Sequence, residues 1–375
     1  MLILVGMGIH GYKGLSIEAI EAIKGAEKVY VEAYTSPVRG RDIDALRALR
    51  ADVVEVHRWF VEDGRRVLDE ARVGDVVLLA YGDPLIATTH IELLVRARRA
   101  GIACKVIHSS SIVTAALGVC GLHVYKLGRV ATVVSSPIPN TSTYYAIYSN
   151  LMQMNHTLLL LEYDQEHGYF LAVDSALRLL LDCEARERMN VIDEDTFAIV
   201  ASRVGMEDMG IVGGRIGSLL KHSDQHGFGE PPHTLIVTGS LHFTEVEALR
   251  ASVMLLDEPI DNSKRVSTRA EMMLPNYIAR AYNALSRARE YIMHAKGNVG
   301  NKAKDKDEDE YEDDAIGRIK DMIDNAEYYL SDAERFAREH RYENAILALG
   351  YAEGLIDALR YLRDIDPWAS KKKST

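Results

Sequence analysis

Cysteine is scarce in this chain. Cys104, Cys120 and Cys183 form an odd, scattered set without metal-ligand spacing, and they read as buried thiols of a reducing compartment. Glutamine is rarer still for the length, standing only at 153, 165 and 225 beside abundant arginine, a composition that leans towards a thermophile. No stretch approaches the ~18 uninterrupted apolar residues of a membrane helix. The start, Met1-Leu2-Ile3-Leu4-Val5-Gly6, carries no basic leader and runs directly into a strand pattern, so a cytoplasmic protein with no membrane association is expected. Positive charge is in the minority. A net charge of −11 argues against direct nucleic-acid binding.

What is present is enough chain for two or three domains: 375 residues, 47% hydrophobic and 26% charged, as in ordinary globular proteins. Up to about residue 122, apolar runs alternate with helical patterns. Strands are expected at Leu2–Val5, Lys28–Glu32, Val53–Val56, Asp75–Ala80 and Ala103–Ile107, with helices at Ile17–Lys24, Ile43–Leu49, Glu62–Ala71, His90–Ala100 and Ile112–Cys120. That alternation implies a parallel sheet with helices on both faces. From 123 to 257 a second α/β lobe is expected. Its strands are Arg129–Val134, Thr157–Glu162, Thr196–Ser202 and Thr234–Thr238, and its helices Thr143–Met154, Leu171–Glu187 and Thr244–Met254. A cleft should lie between the lobes. Residues 258–268 read as a polar linker. In 269–375 strand signals vanish, and helices are expected at Pro275–Ala295, Ala315–Glu339 and Tyr342–Leu362. Their apolar stripes are Ile316, Ile319, Ile323 and Ala326, then Ile346, Leu349, Ala352, Leu355 and Leu359, and the last two helices should turn at His340-Arg341. Residues 298–314 read as a charged flexible loop and Lys371-Lys372-Lys373 as a solvated tail.

The first strand ends in Gly6-Met7-Gly8-Ile9-His10-Gly11, which satisfies the dinucleotide pattern, and Glu32 closes the second strand where a ribose-binding acid would sit. The helix, however, opens only after Ser16, so the loop is too long to press a helix terminus onto a pyrophosphate. After Asp75–Ala80 comes Tyr81-Gly82-Asp83-Pro84-Leu85-Ile86, where Gly82 allows a sharp turn and Asp83 sets a carboxylate at its mouth. Asp83 has two readings here, a cap for the next helix or a ligand-facing acid. Taken together, the strand ends offer small residues, backbone-exposing turns and apolar side chains. No Ser/His/Asp arrangement, paired carboxylates or metal cluster emerges, so the site suits a neutral-to-cationic organic cofactor.

In combination, Gly6-x-Gly8, Tyr34-Thr35-Ser36, Gly82-Asp83-Pro84-Leu85-Ile86-Ala87-Thr88-Thr89-His90, Ile107-His108-Ser109-Ser110-Ser111-Ile112, Gly121-Leu122-His123-Val124-Tyr125-Lys126-Leu127-Gly128 and Pro231-Pro232-His233 resemble the diphthine synthases, of the tetrapyrrole-methylase class. The resemblance covers residues 1 to about 257. It implies a two-lobed α/β fold with a cleft, and an S-adenosyl-L-methionine cofactor that leaves as S-adenosyl-L-homocysteine. It implies successive methylation of the amino group on the 3-amino-3-carboxypropyl-histidine of translation elongation factor 2. Its archaeal members imply trimethylation and a homodimer. Carried over by position, the cofactor contacts would be Ile9, Asp83, Ile86, Ser111, Ile112, Leu161, Val204 and His233, with no metal and no assigned base. Ile9, Ile86, Leu161 and Val204 would be apolar walls for adenine and methionyl parts, His233 a backbone or edge contact, and Asp83 an orienting acid. Read without the resemblance, these are also ordinary strand-end core residues, a helix cap at Ser111 and a loop histidine. The stretch from Gly205 to His226 departs in length from the family pattern. Alternatives are a methylase of a corrin or other tetrapyrrole, whose many carboxylates call for a basic cleft, and a dinucleotide-binding oxidoreductase. The carboxy-terminal helices resemble a small archaeal helical-hairpin family of unassigned function, through Ala326-Glu327-Tyr328-Tyr329-Leu330 and the run from Asn344 to Asp357.

Overall fold

A computed structural model of the chain describes residues 1–36, 40–136, 140–164, 167–266, 269–299, 306–363 and 367–368. They divide into two compact units, Met1–Val266 and Ser267–Thr375.

The first unit opens with an α/β lobe. Its strands are β1 (Leu2–Gly6), β2 (Lys28–Glu32), β3 (Val54–Val56), β4 (Val76–Ala80) and β5 (Cys104–Ile107). They form one parallel sheet in the order β3-β2-β4-β1-β5. Its helices are α1 (Ile17–Gly25), α2 (Gly40–Leu49), α3 (Arg58–Asp63), α4 (Arg65–Val73), α5 (His90–Arg99) and α6 (Ile112–Cys120). Side chains alternate across the sheet. Ile3, Val5, Val31, Val77 and Leu79 pack with Ala19, Ile23 and Leu46 of α1 and α2. Leu2, Leu4, Tyr30 and Leu78 pack with Val67, Leu93 and Leu94 of α4 and α5. Both faces are therefore dry, which is why the strands read as unbroken apolar runs. The expected single helix over Glu62–Ala71 is two helices. Gly64 breaks it with φ +60, and the Arg96 guanidinium donates to the carbonyls of Glu62 and Asp63 at 2.9 and 2.5 Å, satisfying the end of α3.

The second lobe contributes β6 (Ala131–Val133), α7 (Thr141–Met152), β7 (Thr157–Leu161), β8 (Tyr163–Asp164), β9 (Tyr169–Phe170), α8 (Val173–Glu187), β10 (Phe197–Ser202), β11 (Gly210–Arg215), α9 (Ile216–His226), β12 (His233–Val237), α10 (Phe243–Ser252) and β13 (Met254–Leu255). The sheet runs β13-β11-β10-β12-β7-β6, antiparallel from β11 through β7 and parallel at both edges, while β8 and β9 form a separate ribbon. The polar segment read as a linker is anchored to this lobe: Asn262, 1% exposed, donates to Phe197 O and Thr238 O and accepts from Phe197 N. Of that segment, residues 267–268 lie outside the described residues.

The second unit consists of α11 (Arg269–Val299), α12 (Lys306–Arg338) and α13 (Tyr342–Arg363), which share a core. Leu274, Ile278 and Leu285 meet Ile319, Ile323, Ala326 and Leu330, with Leu349, Ala352, Ile356 and Leu359 on the third helix. Two expectations need correction here. Ile346 is 54% exposed, because the buried stripe of α13 runs through Ala345 and Ala348, whose small side chains let the helices approach. The tract 298–314 is helical at 298–299 and from Lys306 onward; its acid-rich beginning suits a helix amino terminus. Residues 300–305 and the lysines at 371–373 lie outside the described residues, as do the side chains of Ile316 and its neighbours back to 291.

Candidate active site

β1 and β4 are neighbours, so the two glycine turns that follow them lie side by side. Gly8 and Gly82 exchange backbone hydrogen bonds in both directions at 3.1 Å, an antiparallel bridge just past the end of a parallel pair. Gly8 sits at φ +65, and a Cβ there would meet Ser110 Oγ at 2.6 Å and Ser109 Oγ at 2.8 Å; glycine is the residue that permits the approach. Ser110 Oγ in turn accepts from Ile9 N at 3.1 Å. The loop continues through a 3-10 turn at Gly11–Gly14 before α1 starts, capped by Ser16 Oγ on Ala19 N at 3.1 Å. The amino-terminal cap of α1 therefore lies five residues beyond Gly11 in the chain, not inside the glycine motif.

Asp83 is 3% exposed and its carboxylate holds two strand ends together. Oδ1 accepts from Leu85 N at 2.9 Å, and Oδ2 accepts from Ser109 N at 3.2 Å and from His108 Nδ1 at 2.8 Å. The capping alternative for Asp83 fails: α5 begins at His90, behind Thr89. The rest of this turn ties itself to the sheet. His90 Nδ1 lies 3.0 Å from Pro84 O, which can only accept, so Nε2 is the bare nitrogen and takes the Tyr34 hydroxyl at 3.0 Å. Burial pushes the His90 imidazole below its ordinary value, keeping it neutral.

Glu32 is fully buried and already spoken for. Its carboxylate accepts from Tyr34 N at 2.9 Å, Thr35 N at 3.0 Å and the Thr35 hydroxyl, fixing the turn that carries Tyr34, Thr35 and Ser36. Burial outweighs these donors and raises its carboxyl to about 7. It holds its own backbone and is not free for a ribose.

The strand ends of both lobes enclose a cavity of about 710 Å3. Ile9, Asp83, Ile86, Ser111, Ile112, Leu161, Val204 and His233 all line it. Ser111, while lining the cavity, is also the cap of α6, accepting from Val113 N at 3.2 Å. His233 Nε2 donates to Gly229 O at 3.2 Å, and burial lowers its imidazole. Val204 reaches the wall through a turn with Arg203 at φ +52 and Gly205 at φ +82, after which β11 and α9 fill the stretch to His226. The lobes touch at the same point, where His10 Nδ1 donates to Gly205 O and Lys13 pairs with Glu207 at 3.3 Å.

Other lining residues were missed as site candidates: Tyr34, Thr35 and Ser36 after β2, Arg58 after β3, and Tyr163 with Phe170 on the ribbon, their rings stacked at 4.6 Å. The strand-end rule finds the first four once it is applied to β2 and β3; the ribbon leaves no comparable mark. Among the described residues no group of three or more His, Cys, Asp or Glu has metal-binding geometry, and no helix is long and apolar enough to cross a membrane.

The tetrapyrrole (corrin/porphyrin) methylases family model matches residues 1–220, and a family described as a protein of unknown function (DUF357) matches 276–365. A diphthine synthase of Methanothermobacter thermautotrophicus is 36% identical over 66% of this chain and 94% of its own length. One from Methanocaldococcus jannaschii is 35% identical over 67% of this chain and 98% of its own length. A crystal structure of diphthine synthase covers 71% of this chain and 100% of that one, at 31% identity and a TM-score of 0.61. With the methylase model spanning more than half its residues and relatives of this identity matched nearly end to end, the chain belongs to the tetrapyrrole methylases, among the diphthine synthases.

Proposed function

We propose that the cavity binds S-adenosyl-L-methionine and that the chain successively methylates the amino group of the 3-amino-3-carboxypropyl side chain on a histidine of elongation factor 2. The observation that carries the reading is the convergence of all eight carried-over positions on one cavity at the strand ends of both lobes. The residues fit such a cofactor: apolar walls at Ile9, Ile86, Leu161 and Val204, exposed backbone at the glycine turns, and a volume within the usual ligand range. When bound, the cofactor supplies a methyl group on a sulfonium. The chain's part is to hold amine and methyl in line and to exclude water. Asp83, locked by two backbone N–H groups, presents a fixed negative charge to a cationic ligand. The amine must be neutral to attack, and the apolar cleft favours its neutral form; the proton it loses passes to solvent.

Two observations weigh against the alternatives. Glu32 is occupied by its own turn, which removes the acid a dinucleotide site needs. Arg58 is the single lysine or arginine among the described lining residues, too little for a polycarboxylate tetrapyrrole. The decisive experiment incubates elongation factor 2 carrying the precursor histidine with enzyme and S-adenosyl-L-methionine and follows its mass. Increases in steps of one methyl group are expected, and an unchanged mass at that histidine would sink the proposal. The reading includes a homodimer, which sedimentation checks.

A further inference from the structure

Arg58 opens α3, two residues beyond the carboxyl end of β3. Its side chain is 63% exposed, so it does not serve the core. Nε donates to Glu62 Oε1 at 2.7 Å, and the guanidinium carbon lies 5.9 Å from the centre of the Tyr34 ring. The two terminal nitrogens make no hydrogen bond among the described residues. The carboxylates that line the cavity are otherwise engaged, Asp83 as above and Glu162 with the Ser135 amide and hydroxyl. Among the described residues that line the cavity Arg58 is thus the one lysine or arginine, ion-paired to Glu62 through Nε and with its two terminal nitrogens left for a ligand beside the Tyr34 ring.

On the reading proposed above, the side chain to be methylated carries a carboxylate on the same carbon as the reacting amine. A carboxylate taken into an apolar cleft without a partner is costly, and a guanidinium fork matches it with two parallel hydrogen bonds. We infer that Arg58 binds this carboxylate and so selects an amino-acid-like amine over a simple one. The grip also serves catalysis. With the carboxylate held and the aromatic face of Tyr34 steadying the fork, the amine remains at one place while successive methyl groups are added, and only its substituents change.

The test uses full-length enzyme, wild type and Arg58→Met, with elongation factor 2 carrying the precursor in two forms, free carboxylate and carboxamide. Wild type must first methylate the carboxylate form; if it does not, the functional reading fails whatever Arg58 does. Given that activity, wild type should prefer the carboxylate by about tenfold or more in kcat/KM, the worth of a hydrogen bond to a charged group. Arg58→Met should lose that factor on the carboxylate form and little on the carboxamide, so that the preference collapses. Arg58→Lys should recover part of it. Calorimetric affinity for S-adenosyl-L-homocysteine should stay within about twofold, as the fork is not among the cofactor walls. Equal losses on both forms, or no loss on either, would overturn the assignment.

Discussion

Glu32 and Glu245 are both completely buried, yet their surroundings drive them in opposite directions. Burial raises Glu32 to about 7, above the 4.5 of an exposed glutamate, so the ionised form is the unfavourable one in the folded state. Its contribution to stability is complete below pH 4.5 and lost as pH rises through about 7. Glu32→Gln keeps an acceptor for the Tyr34 and Thr35 amides and a donor for the Thr35 hydroxyl, without the charge. The variant should match wild type near pH 4.5 and exceed it at pH 8 by on the order of 3 kcal/mol in urea unfolding. A gap that does not grow with pH would mean that the donors, not burial, set this carboxyl. Asp83 calls for a different change. Because its two oxygens face separate backbone donors, Asp83→Asn turns an amide group towards one of them. Stability should fall by about 1–3 kcal/mol, together with weaker S-adenosyl-L-methionine binding. Wild-type stability in the variant would show that Ser109 N and Leu85 N do not depend on the acid.

At the scale of elements, Glu245 is the junction of α10 with the segments before β6 and β7. Burial pushes its carboxyl up, but the Lys126 ammonium at 2.7 Å, the amides of His123 and His242 and the His156 ring together hold it down at about 2. His156 Nδ1 accepts from Gly239 N at 2.9 Å, so Nε2 carries the proton given to Glu245. A depressed carboxyl stabilises above pH 4.5 and is lost as pH falls through about 2. Lys126→Met should cost about 3 kcal/mol at neutral pH and begin acid unfolding at higher pH than wild type, both visible in denaturant titrations at pH 7 and pH 4. The parallel lobe was largely legible because continuous apolar strands and one-sided helices both signal two buried faces. α6 begins and ends at the expected residues. β11 was not legible. Its run Gly210-Ile211-Val212-Gly213-Gly214-Arg215 resembles a loop, and the glycines are there because a Cβ on Gly213 or Gly214 would meet Val253, Leu255 or Leu256 at 3.0–3.1 Å. α9 was obscured for a related reason: of its side chains only Ile216 and Leu219 are buried. At the site, the residues on loops after β1, β4 and β5 were legible because glycine and serine mark close backbone approach. Arg58 and the ribbon aromatics lack any such mark.

For the whole molecule, we propose a division at Val266 between a methylase unit and a helical unit. A cut after Asp257 removes Asn262 and leaves Phe197 N, Phe197 O and Thr238 O without the partner that joins them. Residues 1–266 alone should fold, and excess S-adenosyl-L-homocysteine should raise their melting temperature and that of the full chain by the same amount. Residues 1–257 should be less stable by several kcal/mol, a loss of buried hydrogen bonds at three backbone groups. If both truncations fail to fold, the helices are needed for the core of the methylase.

The mutual hydrogen bonds of Gly8 and Gly82 have a consequence for hydrogen exchange. Both amides belong to loops at the cavity floor, where protons ordinarily swap with solvent within seconds of dilution into deuterium. Here each is closed by the other at 3.1 Å, directly continuing the β1–β4 pairing. In protein without ligand, their deuterium uptake should keep pace with the interior of β4 rather than with loops. A floor already that rigid leaves little ordering to be done when a ligand arrives.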